Sequence, residues 1–211
     1  MLVNAPATLL VEIIGFWAAA ILRNTAVLLV GADMPEKSIL LLTGAPGAGK
    51  STVARLLADA ADGAAVHLYT DSFYAWIRKG YIAPWTVEAR AQNTTVINVI
   101  ADAALGYAKG GYDVVVDGIL GPWFLDPFRE RRGARFDYVV LRPSEPATLM
   151  RGTSRGGKDA MRDESVISQM WKAFADLGPL EHHAVDSSEH SAEDTARIVR
   201  EGCAAGRFRL S

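Results

Sequence analysis

From Ser38 onward, short continuous apolar runs alternate with longer stretches of helical periodicity, the pattern of a parallel sheet covered by helices. It predicts strands at Ile39 to Thr43, Ala65 to Thr70, Asp113 to Val116, Tyr138 to Leu141 and His182 to Val185. A strand buried on both faces reads as an unbroken aliphatic run, because neither face meets water. Ile39-Leu40-Leu41-Leu42 and Val114-Val115-Val116 read this way and are expected to be the central strands. Helices are predicted at Lys50 to Asp62, Val87 to Lys109, Pro146 to Gly152, Glu164 to Asp176 and Ala192 to Ala204. Asp163 stands where it can cap one of these, and Ser191 with Asp194 resembles a capping box for another. The expected class is α/β, a five-stranded parallel sheet with helices on both faces.

The start of the chain departs from that pattern. Residues 5–22 are nearly all apolar, with Glu12 the one charged residue. That length is at the lower edge of a membrane-spanning helix, which takes about 20 residues. A secretory signal opens with positive charge, whereas here no Lys or Arg precedes Arg23. The segment reads as a membrane anchor, as an extra packed helix, or as translated sequence upstream of a start at Met34. The expected organisation is an extension over residues 1–33 and one domain over residues 34–211.

Composition narrows the functional classes. The 22 basic and 24 acidic side chains nearly cancel to a formal charge of -2, so the chain lacks the global basic signature of a nucleic-acid binder. A single cysteine, Cys203, excludes an internal disulfide framework and a cysteine-rich zinc site, which fits a reducing cytoplasm. This lone thiol is expected to be inert.

The strongest chemical signal is Gly44-Ala45-Pro46-Gly47-Ala48-Gly49-Lys50-Ser51, a full G-x-x-x-x-G-K-[ST] match between an apolar strand and a helix. Glycines let backbone N–H groups turn inward toward phosphate oxygens, Lys50 supplies a compact positive charge, and Ser51 is a Mg²⁺ ligand. Thr52 follows in the same first helical turn. The motif predicts a three-layer P-loop sandwich that binds ATP with Mg²⁺. It identifies the ligand class and leaves the reaction open, because motors, switches and transporters share it.

In an open parallel sheet, ligands sit beyond the carboxyl ends of the strands. Asp71 and Asp117 stand at two such ends. Asp71 is read as the carboxylate that orients an acceptor hydroxyl and takes its proton, with a helix N-cap as the competing role. Asp117 is read as the acid that holds the Mg²⁺ shell through water, with a plain Asp-Gly turn as the competing role. After the fourth strand, Met150 to Arg162 combines four basic residues with three glycines. This segment reads as a short cationic lid in which Arg151 and Arg155 neutralise charge on the transferring phosphoryl group.

With these residues in place, the chain from about Lys37 resembles the P-loop small-molecule kinases, nearest to chloramphenicol phosphotransferase-like and zeta-toxin-like proteins. The resemblance rests on Gly44 to Ser51, Asp71-Ser72-Phe73, Asp117-Gly118 with Gly121-Pro122-Trp123, and the Arg151/Arg155 pair. It implies ATP as donor, Mg²⁺, a closing lid, and transfer of the γ-phosphate to a hydroxyl of a small molecule such as an antibiotic, nucleoside or sugar-like metabolite.

The acceptor side is expected among Phe73, Tyr74, Trp76, Arg78, Tyr81, Trp85, Gln92 and Trp123, flat apolar faces with a few polar handles. Such a lining suits a ring or an apolar body better than a sugar acid. His182 and His183, as neighbours on a strand, would point to opposite faces and share no metal. The Asp186-Ser187-Ser188 turn is expected near the adenine. Two alternatives stay open: a toxin-like kinase acting on a nucleotide sugar, and a nucleotide-binding switch or ATPase that modifies no substrate. An Asn-Lys-x-Asp guanine-reading sequence does not occur, which argues against a GTPase.

Overall fold

Strand β1 (Ser38–Thr43) occupies the middle of a five-stranded sheet, flanked by β3 (Asp113–Asp117) on one side and β4 (Arg135–Leu141) on the other. Strand β2 (Ala65–Tyr69) lies outside β3 and the two-residue β5 (Ala184–Val185) outside β4, giving the order β2-β3-β1-β4-β5 with every pairing parallel. The computed structural model describes residues 37–154, 156 and 162–210, which belong to the unit Glu36–Ser211. The apolar segment 5–22 and Met34 lie outside the described residues. Among those described, no helix is long and apolar enough to cross a membrane.

The period-2 alternation of each strand feeds two separate cores. Ile39, Leu41, Val114, Val116, Tyr138 and Val140 face α3 (Arg90–Lys109), which buries Ile97, Ile100, Ala101 and Ala104 against them. On the opposite face, Leu40, Leu42, Val115, Val139 and Leu141 meet Val53 and Ala54 of α1 (Lys50–Asp59) and Val199 of α7 (Ala192–Ala204). The two aliphatic runs are thus buried from both sides, as their composition requires.

Shorter elements complete the chain: α2 (Thr70–Ala75), α4 (Asp126–Arg129), α5 (Glu145–Thr153) and α6 (Glu164–Lys172). Asp163 caps α6 by accepting from the N–H groups of Ser165 and Val166, and Ser191 caps α7 through the Asp194 N–H. Both caps are the expected ones. Helix α2 starts two residues before the short helix near Ser72 that the capping alternative for Asp71 supposes, and takes in residue 70, read in the sequence as the end of the preceding strand.

The last strand corrects the sequence reading. His182 and His183 belong to a 3₁₀ turn, Gly178–His183, so their rings do not alternate across a sheet but lie 4.1 Å apart. β5 pairs only with Val140 and Leu141. The rest of the β4 edge is covered by the C-terminal strap, where the N–H of Tyr138 donates to the Phe208 carbonyl at 2.9 Å and that of Leu210 to the Phe136 carbonyl at 2.9 Å. Phe208 is fully buried, and burial pushes the nearby Cys203 thiol up to about 12, which keeps it protonated and unreactive at neutral pH.

His183 is itself buried, and its Nδ1–H donates to the Tyr138 carbonyl at 2.8 Å. Burial holds its pKa below the ordinary 6.5, outweighing the opposing effect of that hydrogen bond. The folded state therefore binds this proton less readily than the unfolded chain. Stability is complete above the unfolded value and declines as pH falls from there toward the folded value. Thermal unfolding between pH 7 and pH 5 is expected to show this loss, and His183→Asn, which keeps a donor near Nδ1 without titrating, is expected to flatten it. An unchanged slope in the variant would assign the loss to other groups.

Candidate active site

The turn from β1 into α1 is shaped by its glycines. Gly44, Gly47 and Gly49 have φ values of 140°, 91° and 90°, which L side chains rarely adopt. Two of them also meet neighbouring backbone: a Cβ on Gly44 would fall 2.2 Å from the Leu141 carbonyl oxygen, and one on Gly47 would fall 2.3 Å from that of Thr148. The loop is thereby pressed against the end of β4 and against α5. Gly49 occupies the N-cap of α1 and no side chain bonds there, so the first-turn N–H groups are left to an anion. Lys50 is buried, with Nζ 3.1 Å from the Ala45 carbonyl oxygen. Ala45, Pro46 and Ala48 are buried within the loop, while Ser51 and Thr52 sit in the first turn of α1, half-buried and exposed respectively.

Asp117, the last residue of β3, is almost fully buried. Strand alternation places it with Val115 on the α1 face, the side that carries Ser51. Mg²⁺ is commonly held by one or two carboxylates together with substrate phosphates. A buried carboxylate and a first-turn hydroxyl beside the loop form a donor set of that kind.

The turn after β3 is held from both sides. The Leu120 N–H donates to Thr43 Oγ1 at 2.8 Å, and the Tyr138 hydroxyl donates to the Leu120 carbonyl at 2.9 Å. Gly118 packs against Thr70 so closely that a Cβ on it would fall 1.8 Å from Thr70 Oγ1. This contact ties the end of β3 to the start of α2 and brings the chain segments of Asp117 and Asp71 together. Asp71 lies in the first turn of α2, exposed; Tyr69 holds the N-cap position, and no side chain caps the helix. The competing capping role for Asp71 is therefore absent. Its charge is felt by Tyr74, whose hydroxyl is pushed up to about 12, first by burial, then by Asp71, then by Tyr81.

Several expected acceptor residues surround Asp71 in sequence and remain accessible. Trp76, Tyr81 and Trp85 are exposed, as is Arg78, while Phe73 is half-buried against the α3 core and stacks at 4.9 Å on Trp76. Trp123 is 56% exposed and covers Gly121, where a Cβ would fall 2.3 Å from the indole. Gln92 is held by backbone groups. Its Nε2 donates to the Ile82 carbonyl at 2.6 Å and its Oε1 accepts from the Ile82 N–H at 2.8 Å, so both amide ends are committed to backbone. Asn93 adds a bond to the Pro84 carbonyl at 2.8 Å. These two side chains hold the connection from α2 to α3 in place.

Arg151 lies in α5, and its guanidinium donates to the carbonyls of Ser187 at 3.2 Å and Ser188 at 2.7 Å, clamping the turn after β5. That turn is further fixed by Ser188 Oγ, which accepts from the Ser144 N–H at 2.8 Å, and hydrogen bonds from Ser188 hold the Asp186 carboxyl below its ordinary range. Helix α5 ends at Thr153, and Arg155, with most of the remaining lid segment, lies outside the described residues.

One residue of this region was missed. His67, on the same face as Asp117, places Nε2 3.4 Å from Asp117 Oδ2. Only the β2–β3 register reveals it.

A central parallel strand running into a glycine loop and helix, with carboxylates at the ends of β3 and of β2 beyond it, defines an α/β P-loop kinase fold. The sequence matches the AAA domain family over residues 40–172, more than half of the chain, and the protein belongs to that family. No curated protein matches it significantly. Solved structures with the same fold include a sugar kinase from a Janibacter species, at 18% identity and TM-score 0.58, covering 82% of this chain and 96% of that one. A tunicamycin resistance protein from Deinococcus radiodurans aligns at 15% identity and TM-score 0.59, covering 83% and 99%. A shikimate kinase from Acinetobacter baumannii, in complex with shikimate, aligns at 20% identity and TM-score 0.53, covering 82% and 96%.

The Thr70–Gly118 contact can be tested directly. Gly118→Ala is expected to destabilise the protein by about 1–3 kcal/mol through overpacking, and Thr70→Ala in the same chain to recover part of that loss. Urea unfolding of the two single variants and the double variant measures the coupling; strictly additive losses would remove the contact as its cause.

Proposed function

We propose that this protein is an ATP-dependent phosphotransferase that moves the γ-phosphate of Mg-ATP to a hydroxyl of a small molecule. The observation that carries the reading is the pairing of the glycine loop with an uncapped, exposed Asp71, held beside the Asp117 strand end by the Thr70–Gly118 contact. In this reading the loop N–H groups and Lys50 bind the β and γ phosphates, and Ser51 and Asp117 hold the metal, the latter through water. Mg²⁺ when bound neutralises charge on the phosphate oxygens. Asp71 accepts the acceptor's hydroxyl proton as the new O–P bond forms, and the bond from the γ phosphorus to the β-phosphate oxygen breaks to release ADP.

The acceptor is proposed to be a compound with a ring or apolar body, in the manner of the chloramphenicol phosphotransferase-like kinases. Three exposed aromatic side chains, Trp76, Tyr81 and Trp85, follow Asp71 and support this, with Arg78 and Lys79 the nearest cations in sequence. The Asp71-Ser72-Phe73 sequence and the fold shared with a tunicamycin resistance protein point the same way.

The reading is tested by acceptor-dependent ADP release, screened over antibiotics, nucleosides, nucleotide sugars and sugar acids. Lys50→Ala is expected to weaken ATP binding and transfer together. Asp71→Asn is expected to leave ATP affinity nearly unchanged and to lower transfer by ~10²-fold or more. Steady ATP hydrolysis indifferent to every acceptor and to Asp71 would replace the kinase with a switch-like ATPase.

A further inference from the structure

His67 has no role in the chemistry just described, yet its side chain approaches Asp117. In the β2–β3 register His67 stands opposite Val115 and Tyr69 opposite Asp117, so His67 and Asp117 are diagonal neighbours on one face of the sheet. The imidazole Nε2 lies 3.4 Å from Asp117 Oδ2, and the two side chains are only 10% and 3% exposed. Nε2 itself is buried and makes no hydrogen bond in this state. The ring is held from the other side by Tyr69, with centroids 4.0 Å apart and planes tilted by 34°. A buried polar atom without a partner carries a desolvation cost, and one lying 3.4 Å from a buried carboxylate recovers it by turning its N–H toward that oxygen.

We infer that His67 is a positioning residue for Asp117: its Nε2–H donates to Oδ2 and leaves the other carboxylate oxygen to meet the hydration shell of the metal ion that accompanies the nucleotide. This rests on the proposed role of Asp117. A side chain at a strand end can rotate, and a rotated carboxylate presents neither oxygen in a fixed direction. A donor fixed in a strand two residues back removes that freedom, as partners of metal-site carboxylates do elsewhere. A branched or aromatic apolar residue would pack in β2 equally well, so packing alone does not call for an imidazole at this position. The arrangement makes His67 act on metal-dependent nucleotide binding and leaves metal-free nucleotide binding to the loop.

The test uses the full chain and reads ATP affinity calorimetrically, in EDTA and across a Mg²⁺ titration, with Mn²⁺ as a second probe. His67→Leu is expected to leave the EDTA affinity unchanged and to raise the half-saturating Mg²⁺ and Mn²⁺ concentrations by about 10-fold. His67→Gln, whose amide nitrogen reaches the Nε2 position, is expected to stay near wild type. His67→Asn, whose amide lies where Nδ1 was, is expected to resemble the Leu variant. Asp117→Asn is expected to show the same metal defect, with His67→Leu adding little to it in the double variant. A metal defect in Asp117→Asn with none in His67→Leu overturns the inference alone. The absence of a metal defect in Asp117→Asn overturns the role of Asp117 and the inference with it. A His67→Gln variant as impaired as His67→Leu, or one in which EDTA affinity falls equally, assigns His67 to packing and overturns its action through the hydrogen bond.

Discussion

The site depends on one constraint: the turn from β1 into α1 has no room for a side chain at Gly44 or Gly47. Backbone N–H groups can converge on a phosphate only if the chain bends through φ values above zero and nothing projects into the bend. Here the exclusion comes from outside the loop as well, because the Leu141 and Thr148 carbonyls stand where Cβ atoms of Gly44 and Gly47 would be. The loop is therefore a joint between β1, the end of β4 and α5. Anything that moves α5 relative to the sheet moves the phosphate cradle.

The same device recurs around the site. Gly152 of α5 receives Ile167 of α6, where a Cβ would fall 2.8 Å from Cδ1, and Gly118 receives Thr70. Each contact replaces a side chain by a close approach of neighbouring elements. Side-chain hydrogen bonds finish the work: Thr43 and Tyr138 fix the turn after β3, and Arg151 together with Ser188, whose hydroxyl accepts from the Ser144 N–H, fixes the turn after β5. The C-terminal ends of the strands are thus fixed by polar contacts, buried where they join β1, β3 and β4 and more open at the turn after β5.

What could be read from the chain follows from how local each signal is. The runs Ile39 to Leu42 and Val114 to Val116 are buried on both faces, and composition alone reports that. The phosphate loop is legible because backbone chemistry requires glycine at set spacing. Helix α2 is only six residues long and depends on Thr70 packing into Gly118, a contact 48 positions away that leaves no local periodicity. β5 shrinks to two residues because the C-terminal strap takes the rest of the β4 edge, which nothing near His182 announces. Gln92, Arg151 and His67 have partners that the sequence does not announce, for one reason. A polar side chain declares its chemistry in the sequence and its partner only in three dimensions, and these partners are the Ile82 backbone, the Ser187–Ser188 carbonyls and Asp117.

The two halves of the site are held by unequal means. The phosphate half is a set of backbone contacts that tolerate almost no substitution. The connection from α2 to α3 is held by Gln92 and Asn93 through three side-chain bonds, and between them it exposes Trp76, Tyr81 and Trp85. Aromatic side chains lose little conformational entropy on binding and offer broad flat faces, so a segment of this kind can change its ligand by exchanging rings without disturbing the loop that binds phosphate. Under the proposed function, acceptor specificity would fall to this exposed aromatic segment, because the fold shared with sugar and shikimate kinases does not by itself choose an acceptor.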